Sequence, residues 1–311
     1  MEVRVHKALI TGHKGFLGRH LARYLIEGKG DYRISGIDKL DGSRFDLASG
    51  ESQTLLDAMV EWADEVYHLA GNANLLWAEQ FPVAAMDDVI AAARVLEACH
   101  RAGKRVVVVS SVQAYGLPEK LPIEESAVLN PCTTYGVVKS LIEKLCALYW
   151  GKGLRVSVAR LANIYGPDQE KAVTYLGTVV TDTMKVLGSS KPRRLNLVGR
   201  DVSRDFVYVG DVVDALFRIC SVAGQGWTYN VGSGQATHLE DLMNLIAATV
   251  GYDDELAIGP GRIDDPGFHC EFRVDNSRLR RLGWEPKIGL ALGLYETWEA
   301  MKRKQIAEDY S

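Results

Sequence analysis

The chain has 311 residues, of which 47% are hydrophobic and 24% are charged. Its formal net charge is −4 and it contains no basic run, which argues against a nucleic-acid partner. No apolar run approaches the roughly 18 residues that a membrane span requires, and no signal peptide precedes the first predicted strand, so we expect a cytoplasmic protein that contacts no membrane. The five cysteines and seven histidines show no spacing typical of metal ligands, so the sequence predicts neither a metal site nor a disulfide framework.

The first predicted unit is a strand, a glycine turn and a helix within residues 7–25. An apolar run is followed by glycines at a three-residue interval: Gly12, Gly15 and Gly18. Glycine is needed in such a turn because a Cβ atom would keep the backbone away from a bound pyrophosphate and would push the helix off the strand. The N–H groups and the dipole at the start of the helix favour a bound anion.

The second predicted strand, Tyr32–Ile37, ends at an acidic residue, Asp38. Asp38 follows the last glycine by about 20 residues, which is where a carboxylate binds the ribose hydroxyls of a dinucleotide. We therefore predict a dinucleotide site between the glycine turn and the end of this strand. Asp46, in the segment that follows, is either a second residue beside the adenine or a plain helix cap.

Strands and helices continue to alternate after Asp38. The predicted helices cover residues 55–62, 82–102 and 135–150, and the predicted strands cover residues 65–69, 105–109 and 155–161. Small residues, Ala70 and Gly71, follow one of these strands, where a cofactor can pass close to the backbone. The βαβ repetition predicts an α/β fold, with a Rossmann-type doubly wound parallel sheet and helices on both of its faces.

The candidate catalytic residues are Tyr135 and Lys139, which share one face of a predicted helix at positions i and i+4. A lysine ammonium beside a phenol lowers the pKa of the phenol, which allows a tyrosine to act as a general base near neutral pH. Ser111 ends the preceding strand, at the edge where open α/β sheets bind ligands. Its hydroxyl can share the proton of a substrate oxygen with Tyr135.

Short motifs along the chain resemble those of the extended short-chain dehydrogenase/reductases, specifically the NAD-dependent nucleotide-sugar epimerase/dehydratase family and, within it, the UDP-sugar 4-epimerase type. The matching segments are TGHKGFLG (11–18), GID (36–38), YHLAG (67–71), SSVQAYG (110–116), YGVVK (135–139), ARLANIYGP (159–167), RDFVYVGDVVDA (204–215), YNVGSG (229–234) and LGWEP (282–286). They occur in the order typical of that family and cover the chain almost from end to end.

The resemblance implies NAD(P) as cofactor and a nucleotide-diphosphate sugar as substrate, with Tyr135 as base, Lys139 on the nicotinamide ribose and Ser111 assisting. The residues implied for the cofactor are Gly12, Lys14, Gly15, Phe16, Leu17, Gly18, Asp38, Lys39, Asp46, Leu47, Leu69, Ala70, Gly71, Tyr135 and Lys139. The residues implied for the substrate are Ser111, Gln113, Asn163, Arg204 and, more weakly, Arg262. Arg204 corresponds to the arginine that binds the diphosphate, since a guanidinium binds phosphate oxygens in a fork. The alternative for Arg204 is an ordinary exposed arginine.

The sequence departs from the family's sugar 4,6-dehydratases just after Ser111. In those enzymes Asp and Glu follow the catalytic Ser or Thr and eliminate water, whereas here the positions are Val112 and Gln113, neither of which titrates. The resemblance therefore favours an NAD-dependent 4-epimerase, which oxidises C4 transiently to a 4-keto sugar and returns the hydride to the other face. The alternative is an NAD(P)H-dependent 4-keto-sugar reductase, which needs the same residues; a 4,6-dehydratase is disfavoured.

Two residues point to different cofactors. Lys14 occupies the position of a basic residue that contacts the 2′-phosphate in NADP-dependent relatives. Asp38 favours NAD, because a carboxylate fixed at a strand end repels that phosphate, whereas a lysine can turn away to solvent. We expect NAD, with NADP as the alternative.

The resemblance also implies a division of the chain and a dimer. An NAD(P)-binding Rossmann domain is expected at residues 1–166 plus 204–234, and a smaller C-terminal α/β substrate lobe at residues 167–203 plus 235–311, with helices at 237–250 and 290–301. A homodimer is expected through a four-helix bundle of the helices at 82–102 and 135–150. Two other classes of protein are less favoured. A non-catalytic dinucleotide-binding protein typically lacks the tyrosine or the lysine that this chain has at positions 135 and 139. A steroid or flavonoid dehydrogenase typically lacks the motifs that this chain has at 204–215 and 282–286.

Overall fold

The computed structural model describes residues 5–42, 45–169, 179–189, 197–198, 202–222, 228–253, 256, 258–259 and 271–309. In this part of the chain the strands are β1 (His6–Thr11), β2 (Tyr32–Ile37), β3 (Glu65–His68), β4 (Arg105–Ser111), β5 (Val156–Leu161), β6 (Asn163–Tyr165), β7 (Leu197–Val198), β8 (Ser203–Arg204), β9 (Phe206–Tyr208), β10 (Thr228–Val231), β11 (Thr237–His238) and β12 (Ile258–Gly259). The helices of the same residues are α1 (Phe16–Arg23), α2 (Gln53–Trp62), α3 (Leu75–Gln80), α4 (Pro82–Ala85), α5 (Asp87–Arg101), α6 (Thr134–Gly151), α7 (Val179–Leu187), α8 (Val209–Ser221), α9 (Leu239–Val250), α10 (Ser277–Arg280) and α11 (Leu290–Asp309).

Six of the described strands form one parallel sheet in the order β2-β1-β3-β4-β5-β10. The chain runs outward from β1 to β2 and then returns to the other side of β1 to form β3. The carboxyl ends of β1 and β3 therefore frame a topological switch point, the place where doubly wound sheets bind ligands. This arrangement confirms the predicted Rossmann-type parallel sheet.

Helices cover both faces of the sheet, which explains why nearly all residues of its central strands are buried. On one face α1 and α8 pack through residues such as Leu21 and Leu216. On the other face α2, α5 and α6 pack through residues such as Leu56, Leu96 and Ile142. Each of these side chains is almost fully buried, as the helical spacing of the apolar residues predicts.

A third hydrophobic cluster lies outside the sheet. The helices α7, α9 and α11 contact one another and bury Met184, Leu242, Ile246 and Leu294. The strand pair of β6 with β9 contributes residues both to this cluster and to the cluster of α1 and α8, and β8 pairs with β11. This is the smaller lobe of the expected fold, while the division of the chain at residues 166, 204 and 234 stays a prediction.

The LGWEP segment joins the C-terminal part of the chain to α8. The buried indole of Trp284 donates its Nε1–H to the Asp211 carbonyl oxygen at 2.9 Å. The Asp211 carboxylate accepts the backbone N–H groups of Lys287 and Ile288, each at 3.0 Å. The motifs at 204–215 and 282–286 therefore meet in space, and this contact fixes the C-terminal lobe on the sheet.

Several elements differ in extent from the prediction. The helix expected at 82–102 is divided into α4 and α5, and α3 precedes them because Asn74 caps its start by accepting the Trp77 N–H at 3.0 Å. The turn expected after β5 is the short strand β6, and α11 continues eight residues beyond the predicted end at 301. Within the described residues, no helix combines the length and the apolar character needed to cross a bilayer.

Candidate active site

The glycine turn joins β1 to α1 and lies against the turn that follows β3. Gly12 has a φ of +71°, and a Cβ atom there would lie 2.8 Å from the amide nitrogen of Ala70. A Cβ atom on Gly18 would collide with the Gly12 carbonyl oxygen. Both positions therefore require glycine, and the predicted cofactor segments 12–18 and 69–71 meet at the switch point between β1 and β3.

The start of α1 fits an anionic group. Gly15 is the N-cap and provides no side-chain acceptor, and the first turn of α1, which is fully described, contains no acidic residue. The first N–H groups of the helix, from Phe16 and Leu17, are therefore left for a ligand. This cradle of glycine backbone and helix N-terminus suits the pyrophosphate of a dinucleotide.

The carboxylate of Asp38 is fixed at the end of β2 by two backbone donors. Its Oδ1 accepts the Leu40 N–H at 3.0 Å, and its Oδ2 accepts the Lys14 N–H at 3.1 Å. The same turn carries Asp41, whose carboxylate forms an ion pair with the Lys14 ammonium and lies 3.8 Å from His13 Nε2. No sequence signal identifies Asp41, because only the 3₁₀ turn that Asp38 caps brings it to the glycine turn.

Three further predicted cofactor residues follow Asp38. Lys39 is exposed in the 3₁₀ turn. The Asp46 carboxylate accepts the Ala48 N–H at 2.9 Å and so closes a local turn before α2. Leu47 is buried in the hydrophobic cluster of α2 and α5. A role for these residues at the adenine stays a prediction.

A buried histidine lies beside the turn after β3. The Thr11 hydroxyl accepts the Ala70 N–H at 3.2 Å, and it lies 2.8 Å from His68 Nδ1. Burial and, to a smaller extent, the nearby ammonium of Lys139 together lower the pKa of His68 to about 3. His68 is therefore a neutral residue, and Leu69 follows it at the edge of the site.

The ammonium of Lys139 lies beside Gly71, at the end of the same turn. A Cβ atom on Gly71 would lie 3.3 Å from Lys139 Nζ and 2.8 Å from Asp88 Oδ2. Asp88 Oδ2 accepts the Asn72 N–H at 2.9 Å, so this carboxylate of α5 holds the turn and places a negative charge near the buried ammonium. The ammonium of Lys139 forms no hydrogen bond with any described residue, so its three donors are available to a ligand. Asp88 carries no motif in the sequence and was missed for that reason.

Tyr135 lies in the first turn of α6, four residues before Lys139. The Lys139 Nζ atom is 5.5 Å from the centroid of the Tyr135 ring, so the two side chains face one region as their spacing predicts. The start of α6 is fixed by Glu79 of α3, whose carboxylate accepts the N–H of Thr134 at 2.6 Å and its hydroxyl at 2.9 Å. This contact positions the segment that carries the tyrosine.

Ser111 ends β4, and the turn after it packs on the start of α6. The Ser111 hydroxyl oxygen accepts the Gln113 N–H at 3.2 Å. A Cβ atom on Gly136 would lie 2.9 Å from the Pro131 Cβ and would collide with the Gln113 carbonyl oxygen. Glycine after Tyr135 thus lets this turn lie directly on the helix, and Ser111 and Tyr135 come to the same edge of the sheet.

A buried ion pair lies behind these residues. Glu143 of α6 accepts hydrogen bonds from Arg160 Nε at 2.9 Å and Nη2 at 2.6 Å, and from the Ser110 hydroxyl at 2.5 Å. Arg160 and Glu143 are only 5% and 7% exposed. Burial alone would lower the pKa of Arg160, but its bonds to Glu143 outweigh burial and raise it. The network joins β4, β5 and α6, and so fixes the strand end of Ser111 relative to the helix of Tyr135.

The predicted substrate residues after β5 lie on the short strands. Asn163 begins β6, and both its backbone N–H and its Nδ2 donate to the Asp205 carbonyl oxygen, at 3.0 and 3.2 Å. Arg204 is 3% exposed, with its guanidinium carbon 5.0 Å from the centroid of the Phe272 ring, which excludes an exposed surface arginine. Arg262 lies outside the described residues.

Asp205, next to Arg204, holds the YNVGSG loop. Its carboxylate accepts the N–H of Ser233 at 2.7 Å, the Ser233 hydroxyl at 2.6 Å and the N–H of Gly234 at 3.0 Å. Burial raises the pKa of Asp205 to about 6, although these hydrogen bonds oppose the shift. The resemblance gave Asp205 no role, yet it connects Arg204 to the loop after β10.

Known proteins resemble this chain over almost its whole length. The sequence profile of the NAD dependent epimerase/dehydratase family matches residues 8–232. A UDP-glucose 4-epimerase from Mycolicibacterium smegmatis is 33% identical, over 96% of this chain and 99% of the relative. A GDP-6-deoxy-D-mannose reductase from Pseudomonas aeruginosa is 30% identical, over 96% of this chain and 99% of the relative. The crystal structure of a UDP-glucose 4-epimerase from Thermotoga maritima with UDP-glucose has a TM-score of 0.83 at 26% identity, over 96% of this chain and 99% of that one.

Proposed function

The chain belongs to the NAD-dependent epimerase/dehydratase family, and from that membership we propose that it is an NAD-dependent nucleotide-sugar 4-epimerase. The observation that carries this proposal is the arrangement of Tyr135, Lys139 and Ser111 at one edge of the sheet. No titrating side chain accompanies them at positions 112 and 113. The relatives named for 4-epimerisation and for nucleotide-sugar reduction support a nucleotide sugar as the class of substrate.

The proposed reaction begins with loss of the C4 hydroxyl proton to Tyr135. Ser111 donates a hydrogen bond to the same oxygen, and the positive charge of Lys139 stabilises the negative charge on the tyrosine oxygen. A bound nicotinamide cofactor would supply hydride transfer from and to C4. Tyr135 returns its proton to the C4 oxygen after the 4-keto sugar has turned its other face towards the cofactor, which gives the epimer.

The residues after Ser111 support this reaction against elimination of water. Val112 is buried in the hydrophobic cluster of the sheet, so it offers nothing to a sugar. Gln113 is uncharged at every pH, and its carbonyl oxygen lies against Gly136. Elimination across C5 and C6 needs a base and an acid in addition to Tyr135, and these two positions supply neither.

The second candidate is a 4-keto-sugar reductase. It is favoured by the resemblance to the GDP-6-deoxy-D-mannose reductase and by Lys14, a cation at the glycine turn. The chemistry at Tyr135 would be the same, but the hydride would move in one direction only. We favour NAD as the cofactor because Asp38 is held in place by two backbone N–H groups at the expected position of the adenosine ribose.

For the substrate we propose a nucleotide diphosphate held between the sheet and the lobe. The guanidinium of Arg204 is the proposed partner of the diphosphate, and Asn163 a partner of the sugar or a phosphate. Asn163 begins β6 just after Leu161, which pairs with Ser111 in the sheet. Arg204 precedes Asp205, whose carbonyl oxygen accepts the Asn163 N–H, and these positions support the proposal. The protein is further proposed to form a homodimer through α5 and α6.

The experiment that tests the proposed activity is a proton NMR time course. The purified protein with NAD, and separately with NADP, is mixed with UDP-glucose, UDP-N-acetylglucosamine, UDP-glucuronate or GDP-mannose. We expect the anomeric signal of a 4-epimer to grow to an equilibrium ratio without net formation of NADH. Tyr135→Phe should lower the rate by at least about 100-fold, because it removes the general base.

Tyr149→Phe is the matched control, since Tyr149 lies near the other end of the same helix. It should retain the wild-type rate. Conversion of a 4-keto sugar with NADPH, and of none of the four substrates, would replace the epimerase with the reductase.

A further inference from the structure

One lysine at the glycine turn lies between two carboxylates. Asp38 accepts the backbone N–H of Lys14 at 3.1 Å, and Asp41 forms an ion pair with the ammonium of the same residue. The backbone and the side chain of Lys14 are thus held by different carboxylates, at the carboxyl end of β2. This is the end at which the adenosine ribose of a dinucleotide is expected.

The position of Asp41 is fixed by its surroundings. Its N–H donates to the Asp38 carbonyl oxygen at 2.9 Å, within the 3₁₀ turn that Asp38 caps. Its second carboxylate oxygen lies 3.8 Å from His13 Nε2. The His13 ring in turn packs against Gly36, where a Cβ atom would collide with it. The carboxylate of Asp41 is therefore held towards Lys14 by the backbone and by the neighbouring ring.

We propose that Asp41 selects NAD against NADP by keeping Lys14 in an ion pair. A 2′-phosphate brings close to two negative charges and needs a cation in place of the hydroxyl that NAD presents. Lys14 is the cation of the glycine turn, but its charge is already compensated by the Asp41 carboxylate. In addition, the negative charges of Asp38 and Asp41 repel the phosphate. The inference rests on the proposed function only in requiring a nicotinamide dinucleotide at this site.

The test is a double-mutant cycle on cofactor affinity, which does not depend on knowing the sugar. Dissociation constants for NAD+ and NADP+ are measured by titration calorimetry for the wild type, Asp41→Asn, Lys14→Met and the double variant. Asp41→Asn keeps the shape of the side chain and removes its charge, so the ratio of the NADP+ to the NAD+ constant should fall about tenfold. The fall should become smaller at high salt.

The double variant separates release of Lys14 from the simple loss of a negative charge. If Asp41 acts by holding Lys14, the gain for NADP+ seen in Asp41→Asn disappears when Lys14→Met is added. Asp31→Asn is the matched control, because it makes the same change of charge at an exposed position just before β2, at the opposite end of that strand. It should leave the ratio unchanged, and melting temperatures verify that all variants are folded.

The outcomes distinguish this inference from the proposed function. An unchanged ratio in Asp41→Asn, or a gain that persists without Lys14, would overturn the role of Asp41 while leaving a dinucleotide enzyme intact. Tighter binding of NADP+ than of NAD+ by the wild type would overturn it too. A wild type that binds neither dinucleotide would overturn the proposed function, and the inference with it.

Discussion

At the residue scale, the electrostatic surroundings of the buried residues at the site come from identifiable neighbours. The ammonium of Lys139 and the Asp88 carboxylate both lie against Gly71, and the ammonium donates to no described side chain. His68 lies fully buried near the same ammonium, and burial is the main reason why its pKa falls to about 3. Because His68 is neutral, it adds no positive charge beside Lys139.

The state of His68 predicts how stability depends on pH. Its pKa is about 3 in the folded protein and about 6.5 in the unfolded chain, so the unfolded state binds more protons between these values. The free energy of unfolding should then fall as the pH is lowered below 6.5, with a contribution from His68 of about 1.4 kcal/mol per pH unit. Urea unfolding at pH 7.5, 6 and 5 measures this dependence.

The comparison that isolates the histidine is His68→Gln, which keeps an amide near Thr11 but does not titrate. The variant should be less stable at pH 7.5, and its loss of stability towards pH 5 should be smaller than that of the wild type. Equal pH dependence in both proteins would show that His68 is not protonated on unfolding in this range.

At the element scale, local sequence signals predicted the parts of the site that lie next to each other in the chain. The glycine turn, the end of β2 and the helix of Tyr135 were all placed from spacing, because each is one strand–turn or one helix face. Asp41, Asp88 and Glu143 were not predicted. Each of them contacts a residue of another element, and the spacing of residues within its own helix or turn does not indicate that contact.

The pair between Glu143 and Arg160 is the most buried of these contacts between elements. Glu143→Leu leaves a buried guanidinium without its counter-charge, which should cost about 3–5 kcal/mol of unfolding free energy. Adding Arg160→Met should restore part of that loss, because two apolar side chains replace a pair rather than break one. Urea unfolding of the single and double variants measures the coupling.

Glu97→Gln is the control for this cycle, since Glu97 forms an ion pair with Arg101 that is about half exposed. It should change stability little, because exposed pairs contribute little. A loss in Glu143→Leu no larger than that in Glu97→Gln, or strict additivity in the double variant, would contradict the structural role given to the buried pair.

At the scale of the whole molecule, contacts between distant segments connect the glycine turn with the segment after β6. Arg19 of α1 donates to the Lys14 carbonyl oxygen at 2.8 Å and to the Asp168 carbonyl oxygen at 3.0 Å. It therefore joins the glycine turn to the turn after β6. The sequence predicted the parallel sheet and the order of its motifs, but not such bridges, since their partners are far apart in the chain.

The outer surface of the molecule provides a test of the proposed homodimer. Ile90 of α5 and Leu148 of α6 are 44% and 53% exposed, on helices that pack side by side. Leu148→Glu places a charge on this surface and should convert a dimer into a monomer, which sedimentation velocity measures. Leu292→Glu, a change at an exposed leucine of α11, should leave the assembly unchanged. A wild-type monomer at micromolar concentration would contradict the proposed interface.

The central claim is that this protein takes a hydride from C4 of a nucleotide sugar and returns it to the same carbon. The most direct measurement is the NMR time course with a substrate that carries deuterium at C4. We predict a 4-epimer that retains the deuterium at C4, with no accumulation of reduced cofactor and with a rate at least about 100-fold lower in Tyr135→Phe. Loss of the deuterium to the solvent or to free NADH, or no epimer from any of the four nucleotide sugars, would contradict the claim.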